Sequence, residues 1–387
     1  VVEPRPLLRE GAVLAEGADH AVPGHYGAPL REQRRLQAGH AVVDLGQMQL
    51  LSVAGPDARS WLTTITSQVF TDIPVGSSVS VTVLSPQGRL EQLASAAVTG
   101  DEEVMLITDP GTRDGWRHYL EMMRFAARIE LTDRDDLRVL GGTVPAPQAL
   151  EDSPVRLPEP VLVWEDPWPA VVPGGVSYGP DPEDPTRWVL SVFDQQDLLS
   201  QPWRVEDLAG TAAAEALRIA NHRPRQVTEA DERTIPHELD LLRTAVHTTK
   251  GCYRGQETVA KVLNLGQPPR RLVMLHLDGS QDVPAAAGGP VLLGGADGKN
   301  VGRVTTAAVH MDLGPIALAV VKRSVPLDAP LTVGVYLHTQ DGDDAQDGAG
   351  ALDGTADAQA PDVFLDAAQE PIVVPRDHGE RPRTPRL

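Results

Sequence analysis

Cysteine is almost absent: Cys252 is the single one in 387 residues. One thiol excludes an intramolecular disulfide, and it cannot supply the roughly four thiolates that ordinarily hold an iron-sulfur cluster. Long apolar runs are missing too, since none approaches the roughly 20 residues a helix needs to span a bilayer. The opening VVEPRPLLREG has no basic segment leading into an apolar one, so no export signal is expected and a cytoplasmic location is. Positive charge is scarce. With 34 Lys and Arg against 54 Asp and Glu, the formal net charge of −20 argues against direct binding of nucleic acid or an anionic membrane surface. Metal motifs are incomplete as well: His237-Glu238 begins an HExxH pattern, but Leu241 stands where the second histidine belongs. His222 and His247 have no ligand set in the sequence around them, so no metal is expected.

What is present is enough apolar content, 41%, to fill more than one core. Residues 1–23 mix Pro, Gly and charge without period and read as an arm that packs late or not at all. From Gln47 a β-rich run leads through Gly55-Pro56-Asp57 into a helix over ARSWLTTI. Ser78 to Leu84, Arg89 to Val98 and the VMLITD stretch read as an antiparallel meander, with a helix over Gly111 to Phe125 and a returning strand over Ala127 to Asp133. Prolines crowd residues 145–185 around Trp164 and Trp168, which predicts a connector with one or two strands. A helix is expected from Val205 to Ala220. After Pro268-Pro269, five β-rich pieces divided by Gly and Pro have the spacing of a small barrel. The class is therefore α+β, with a body over residues 24–266, a barrel over 267–338 and an acidic tail over 339–387 expected to be disordered.

The chemistry concentrates in KGCYRGQETVAKVLNLG. Glycines bracket a cysteine and an aromatic, and a helix is predicted from Gln256 to Leu263. Lys250, Arg254 and a nearby helix N-terminus would all favour thiolate over thiol at Cys252. Gly251 and Gly255 would permit a tight turn or a close approach, and Tyr253 offers a flat apolar face with a polar tip. The plainer alternative makes Cys252 a small buried filler and Glu257 an ordinary first-turn acid.

The string Lys250-Gly251-Cys252-Tyr253-Arg254-Gly255-Gln256-Glu257 resembles the K-G-C-Y-x-G-Q-E motif of the YgfZ family at every specified position. The similarity extends through VVDLGQMQLLSVAGPDARSWL, RTIPHELDLL and NVGRVTTAA, covering roughly residues 24–338. That family is similar to the glycine-cleavage T-protein, an aminomethyltransferase. The resemblance implies a three-lobed folate-binding body with a central cavity, followed by a β-barrel. It implies tetrahydrofolate or a one-carbon derivative as ligand, and a role in assembly or repair of iron-sulfur clusters in client enzymes such as radical tRNA-modifying ones. Cys252, at the cavity rim, would be the functional thiol, with Lys250, Gly251, Tyr253, Arg254, Gly255, Gln256 and Glu257 shaping its site.

Two departures from the T-protein pattern bear on activity. Where that pattern has its catalytic aspartate, Gly88-Arg89-Leu90-Glu91-Gln92 places Gln92, and Glu91 could substitute only if the strand register slips. Where a glutamate contacts the folate ring, Ala220 stands in ALRIANHRP. Arg218 is a candidate for the cavity wall or a contact to the glutamate arm, or else a structural salt bridge. Asp44, in VVDLG, falls where the related pattern has an aspartate near the cavity, with a turn or cap role as the alternative. An accessory protein that is not a conventional enzyme is the leading expectation, and a folate-dependent aminomethyltransferase or demethylase is the alternative.

Overall fold

A computed structural model describes residues 7–180, 185–265, 267–337 and 360–374. The body is built on two five-stranded sheets. The first runs Leu162–Glu165, Val189–Asp194, Leu137–Gly142, Val42–Asp44, Leu208–Ala209, antiparallel except for its last pair. The second runs Ser78–Leu84, Leu90–Gly100, Glu103–Thr108, Gln49–Ala54, Glu130–Asp133, antiparallel throughout. Its alternation decides what each face meets. Leu51, Val53, Val104 and Leu106 pack with Trp61, Trp116 and Tyr119 of the helices Ala58–Ile65 and Arg113–Met122. Leu50, Met105 and Ile107, one residue out of phase, pack instead with Val43, Val139 and Leu190 of the first sheet. The α+β class and the meander are as the sequence predicts.

Beyond the body, six strands close a barrel in the order Arg270–Leu277, Gly314–Lys322, Lys299–His310, Pro290–Leu293, Leu331–Val335, Val363–Pro371. Arg270 ties it to the body by pairing with Asp231 at 2.6 Å and Glu238 at 2.8 Å. Among the described residues, no helix is long and apolar enough to cross a membrane.

Three expectations are corrected. The sixth barrel strand lies inside the segment expected to be a disordered tail. In VFLDAAQEP, Leu365 and Ala367 point into the barrel while Asp366 and Ala368 point out, so the acidic composition is carried on the wet face. This strand pairs with both Arg270–Leu277 and Leu331–Val335, leaving neither as an open edge. The rest of the tail expected to be disordered, residues 339–359 and 375–387, lies outside the described residues.

The N-terminal arm, from residue 7 on, is packed. Leu7 is buried, its N–H donates to the Asp44 carboxylate at 2.7 Å, and Val13–Leu14 pairs with Pro23–His25. The helix expected from Val205 begins only at Thr211, because Gly210 lies against Gly24, whose carbonyl oxygen would sit 2.1 Å from an added Cβ. Upstream of that contact the chain is a short 3-10 turn and then a strand beside Val42–Asp44.

Candidate functional site

Between the two sheets, the Thr211–Ala220 helix and the loop after it lies a cavity of about 170 Å³. Three of the six tryptophans, Trp164, Trp168 and Trp188, line it. The sequence offered a signal for this wall, a cluster of indoles in and beside a proline-rich connector, but not its function. Trp164 donates its indole N–H to the Val79 carbonyl at 3.0 Å and Trp168 to that of Asn221 at 3.0 Å, which fixes both ring planes.

Charged side chains in the cavity wall are paired with one another. Arg225 meets Asp19 at 2.9 Å, Asp109 at 3.1 Å and Glu215 at 3.2 Å. Burial works against its charge, but Asp109, Glu215 and Asp19 outweigh that and hold its pKa well above the ordinary value. Arg218 meets Glu215 at 2.8 Å and Glu229 at 2.9 Å, so the candidate from sequence is both wall and salt bridge. Asp166 lies 2.9 Å from Arg223; burial raises its pKa and Arg223 only partly offsets the shift. Asp109, Asp166 and Arg225 were not singled out in the sequence, because their partners are far away along the chain or unmarked by any motif.

The KGCYRGQE loop is fastened residue by residue. Lys250 donates its ammonium to the carbonyls of Thr63, Thr66 (2.6 Å) and Gln68 (3.1 Å), at the C-terminal end of the Ala58–Ile65 helix, where a cation is favoured. Burial lowers its pKa to about 8. Its ammonium also lies 5.2 Å from the Tyr253 ring, which packs in the core with Leu84, Leu90 and Val259. Arg254 makes a two-pronged pair with Glu91, at 2.8 and 3.2 Å. Gly255 has φ +82°, and an added Cβ would lie 2.5 Å from the Ser85 carbonyl oxygen and 3.0 Å from Gly88 Cα. Gly88, at φ +76°, faces Thr258 in return, so two turns meet backbone to backbone. Gln256 reaches back to the Lys250 carbonyl at 3.4 Å, closing the loop. Cys252 and Glu257 are exposed, and a Cβ on Gly251 would meet nothing within 4 Å.

The motif residues do not reach the cavity wall; the loop instead sits on the tip of the hairpin formed by Ser78–Leu84 and Leu90–Gly100, whose middle lines the cavity through Ser80, Leu93 and Ser95. The two cations expected beside the thiol are turned onto partners distant in the chain. Gln92 and Glu91 also lie off the cavity wall. Gln92 packs against Gly115, where an added Cβ would lie 2.2 Å from its Nε2, and the strand slips by one residue at Glu91, between the pairs Val83 with Gln92 and Leu84 with Leu90. Asp44 is 1% exposed and is saturated by Arg138 at 2.7 and 2.8 Å, the Leu7 N–H and the Gly46 N–H, also away from the cavity wall. Ala220 is partly buried and packs against the core cluster that contains Leu239, Leu241 and Ile316. His237 is fully buried on the Val259 carbonyl at 3.1 Å, and burial lowers its pKa to about 4. Among the described residues, no group of three or more His, Cys, Asp or Glu could hold a metal ion.

No family model matches the chain. It is 22% identical over 246 residues to an aminomethyltransferase of Nitrosococcus oceani, a match covering 60% of this chain and 64% of the relative. It is 23% identical over 145 residues to an aminomethyltransferase of Chromobacterium violaceum, covering 37% and 39%. A chloroplastic protein of Arabidopsis thaliana whose name calls it a candidate transferase is 31% identical over 135 residues, covering 32% of this chain and 28% of that protein. The chain thus matches less than two thirds of each relative's own length. In three dimensions it is similar to the crystal structure of the glycine cleavage system aminomethyltransferase T from Bartonella henselae, with a TM-score of 0.67 and 16% identity over 92% of both chains. The sequence matches and the superposition agree that the chain has the fold of the glycine-cleavage aminomethyltransferase.

Proposed function

We propose that the protein binds tetrahydrofolate, or a one-carbon derivative of it, in the central cavity and serves iron-sulfur enzymes or their assembly factors through Cys252, in the manner of the YgfZ family. The observation that carries this reading is the division of labour between cavity and loop. The aminomethyltransferase fold keeps an indole-walled cavity, while the position matching the transfer acid holds Gln92, turned onto Gly115. The nearby carboxylate of Glu91 is committed to Arg254. A cavity of about 170 Å³ exceeds the roughly 150 Å³ that admits a benzene ring, and falls short of the roughly 300–1,000 Å³ of sites that enclose a whole drug-sized ligand. It suits the ring end of a folate, with the arm leading outward.

Around Cys252, the side chains of Lys250, Tyr253, Arg254 and Gln256 are all spent on holding the loop, which leaves the Cys252 thiol and the Glu257 carboxylate as the groups that the motif presents. Calorimetric titration with tetrahydrofolate tests the cavity, and iron-sulfur enzyme activities in a deletion strain carrying wild-type or Cys252→Ser protein test the thiol. Saturable binding with lost client activity in the variant is expected. Absence of folate binding, or full activity with serine at 252, overturns the corresponding half. Sustained production of methylene-tetrahydrofolate from a methylamine would favour a transferase or demethylase instead.

A further inference from the structure

We propose that Gln47 and Asp166 form an acceptor edge of the cavity that reads the N–H donors of a flat heterocycle, the 2-amino-pyrimidinone edge of a reduced pterin. The inference rests on the folate reading and names what in the chain would recognise the ring. Gln47 lines the cavity, is 7% exposed, and its Oε1 has no hydrogen-bond partner among the described residues. The amide cannot be turned over to cure this, because its Nε2 must donate to the Asp19 carboxylate at 2.8 Å; the oxygen is the end left over. A buried acceptor without a donor costs stability until a ligand N–H supplies one.

Asp166, which also lines the cavity with a side chain 11% exposed, accepts the Trp168 backbone N–H at 2.9 Å and faces Arg223 at 2.9 Å. An ionised carboxylate has about four acceptor sites, so capacity remains. Glu215, by contrast, already receives hydrogen bonds from both Arg218 and Arg225. The ring contact that Ala220 does not offer would come from Asp166, which accepts the backbone N–H of Trp168; the Trp168 indole N–H donates in turn to the carbonyl of Asn221, the residue after Ala220. Trp164, Trp168 and Trp188 supply flat apolar walls. The guanidinium groups in the wall, Arg218, Arg223 and Arg225, are each paired with a carboxylate of the chain, so the ring and not an anionic arm is what the cavity selects.

The test compares binding of tetrahydrofolate, 6-methyltetrahydropterin and its 2-desamino analogue to the full chain, followed by quenching of tryptophan fluorescence. Wild type should prefer the amino compound by about tenfold, the worth of one net hydrogen bond, and Gln47→Met and Asp166→Asn should each lower that preference. Circular dichroism melts establish that the variants fold; if one does not, the wild-type preference decides by itself. Equal binding of the amino and desamino compounds, or a preference untouched in both folded variants, overturns the inference while leaving folate binding in place. Binding of tetrahydrofolate without either pterin also overturns it. Failure of wild type to bind any of the three overturns the folate reading together with it.

Discussion

The two glycines that flank Cys252 should respond oppositely to the same substitution. At Gly255 the backbone has φ +82°, a left-handed conformation that costs an L-residue about 1–2 kcal/mol, and the new Cβ would lie 2.5 Å from the Ser85 carbonyl oxygen. That neighbour is backbone in a turn, and it cannot rotate away; the hairpin tip itself must shift, which brings the total for Gly255→Ala to about 3 kcal/mol. Gly251 lies outside the left-handed region and an added Cβ there meets nothing within 4 Å, so Gly251→Ala should stay within about 0.5 kcal/mol of wild type. At roughly 1–2 °C per kcal/mol for a chain of this size, Gly255→Ala should melt roughly 3–6 °C lower and Gly251→Ala almost unchanged. Differential scanning calorimetry of the three proteins, followed by the iron-sulfur enzyme assay in cells, reads both consequences. Equal melting temperatures for the two variants would refute the claim that the loop is seated by backbone contact at its second glycine.

Burial of His237 makes stability depend on acid. With a pKa near 4 in the folded chain against 6.5 unfolded, the unfolded state takes up the proton first, so stability is full above pH 6.5 and falls as pH drops toward 4. Between pH 6.5 and 5 this amounts to about 1.5 kcal/mol, and urea midpoints of His237→Phe should show a correspondingly flatter slope over that interval; an unchanged slope would place the proton elsewhere. Lys250→Met removes an ammonium from three carbonyls at a helix end and should lower stability by about 2 kcal/mol, read as a lower urea midpoint, with no change meaning that water replaces the cation freely. Ending the chain at residue 337 removes the sixth barrel strand; the truncated protein should bind a hydrophobic dye and aggregate, and a monomer as stable as wild type would show that five strands suffice.

How much was legible in the sequence depends on the reach of each contact. The meander over residues 78–108 was readable because its alternation is local, and the barrel because Gly and Pro punctuate it. The sixth strand was hidden because a stretch of Asp and Gly precedes it, and charge on the outer face of an alternating strand looks like tail composition. Asp44 could not be assigned from VVDLG, since the partner that saturates it, Arg138, is 94 residues away. Around Cys252 the sequence placed two cations beside the sulfur, but adjacency along the chain is not direction in space: Lys250 turns to the Ala58–Ile65 helix and Arg254 to Glu91. The indole wall assembles from residues 164, 168 and 188, and only tertiary packing makes them neighbours.

The Ser78–Gly100 hairpin touches both halves of the proposed function, its mid-portion at Ser80 and its tip at Ser85 and Gly88 under the Gly255 turn. The five steps from Ser80 to Ser85 span roughly 17 Å of extended chain. One continuous β-strand therefore both lines the cavity and seats the turn that carries Cys252, so the two compartments share a single stretch of backbone.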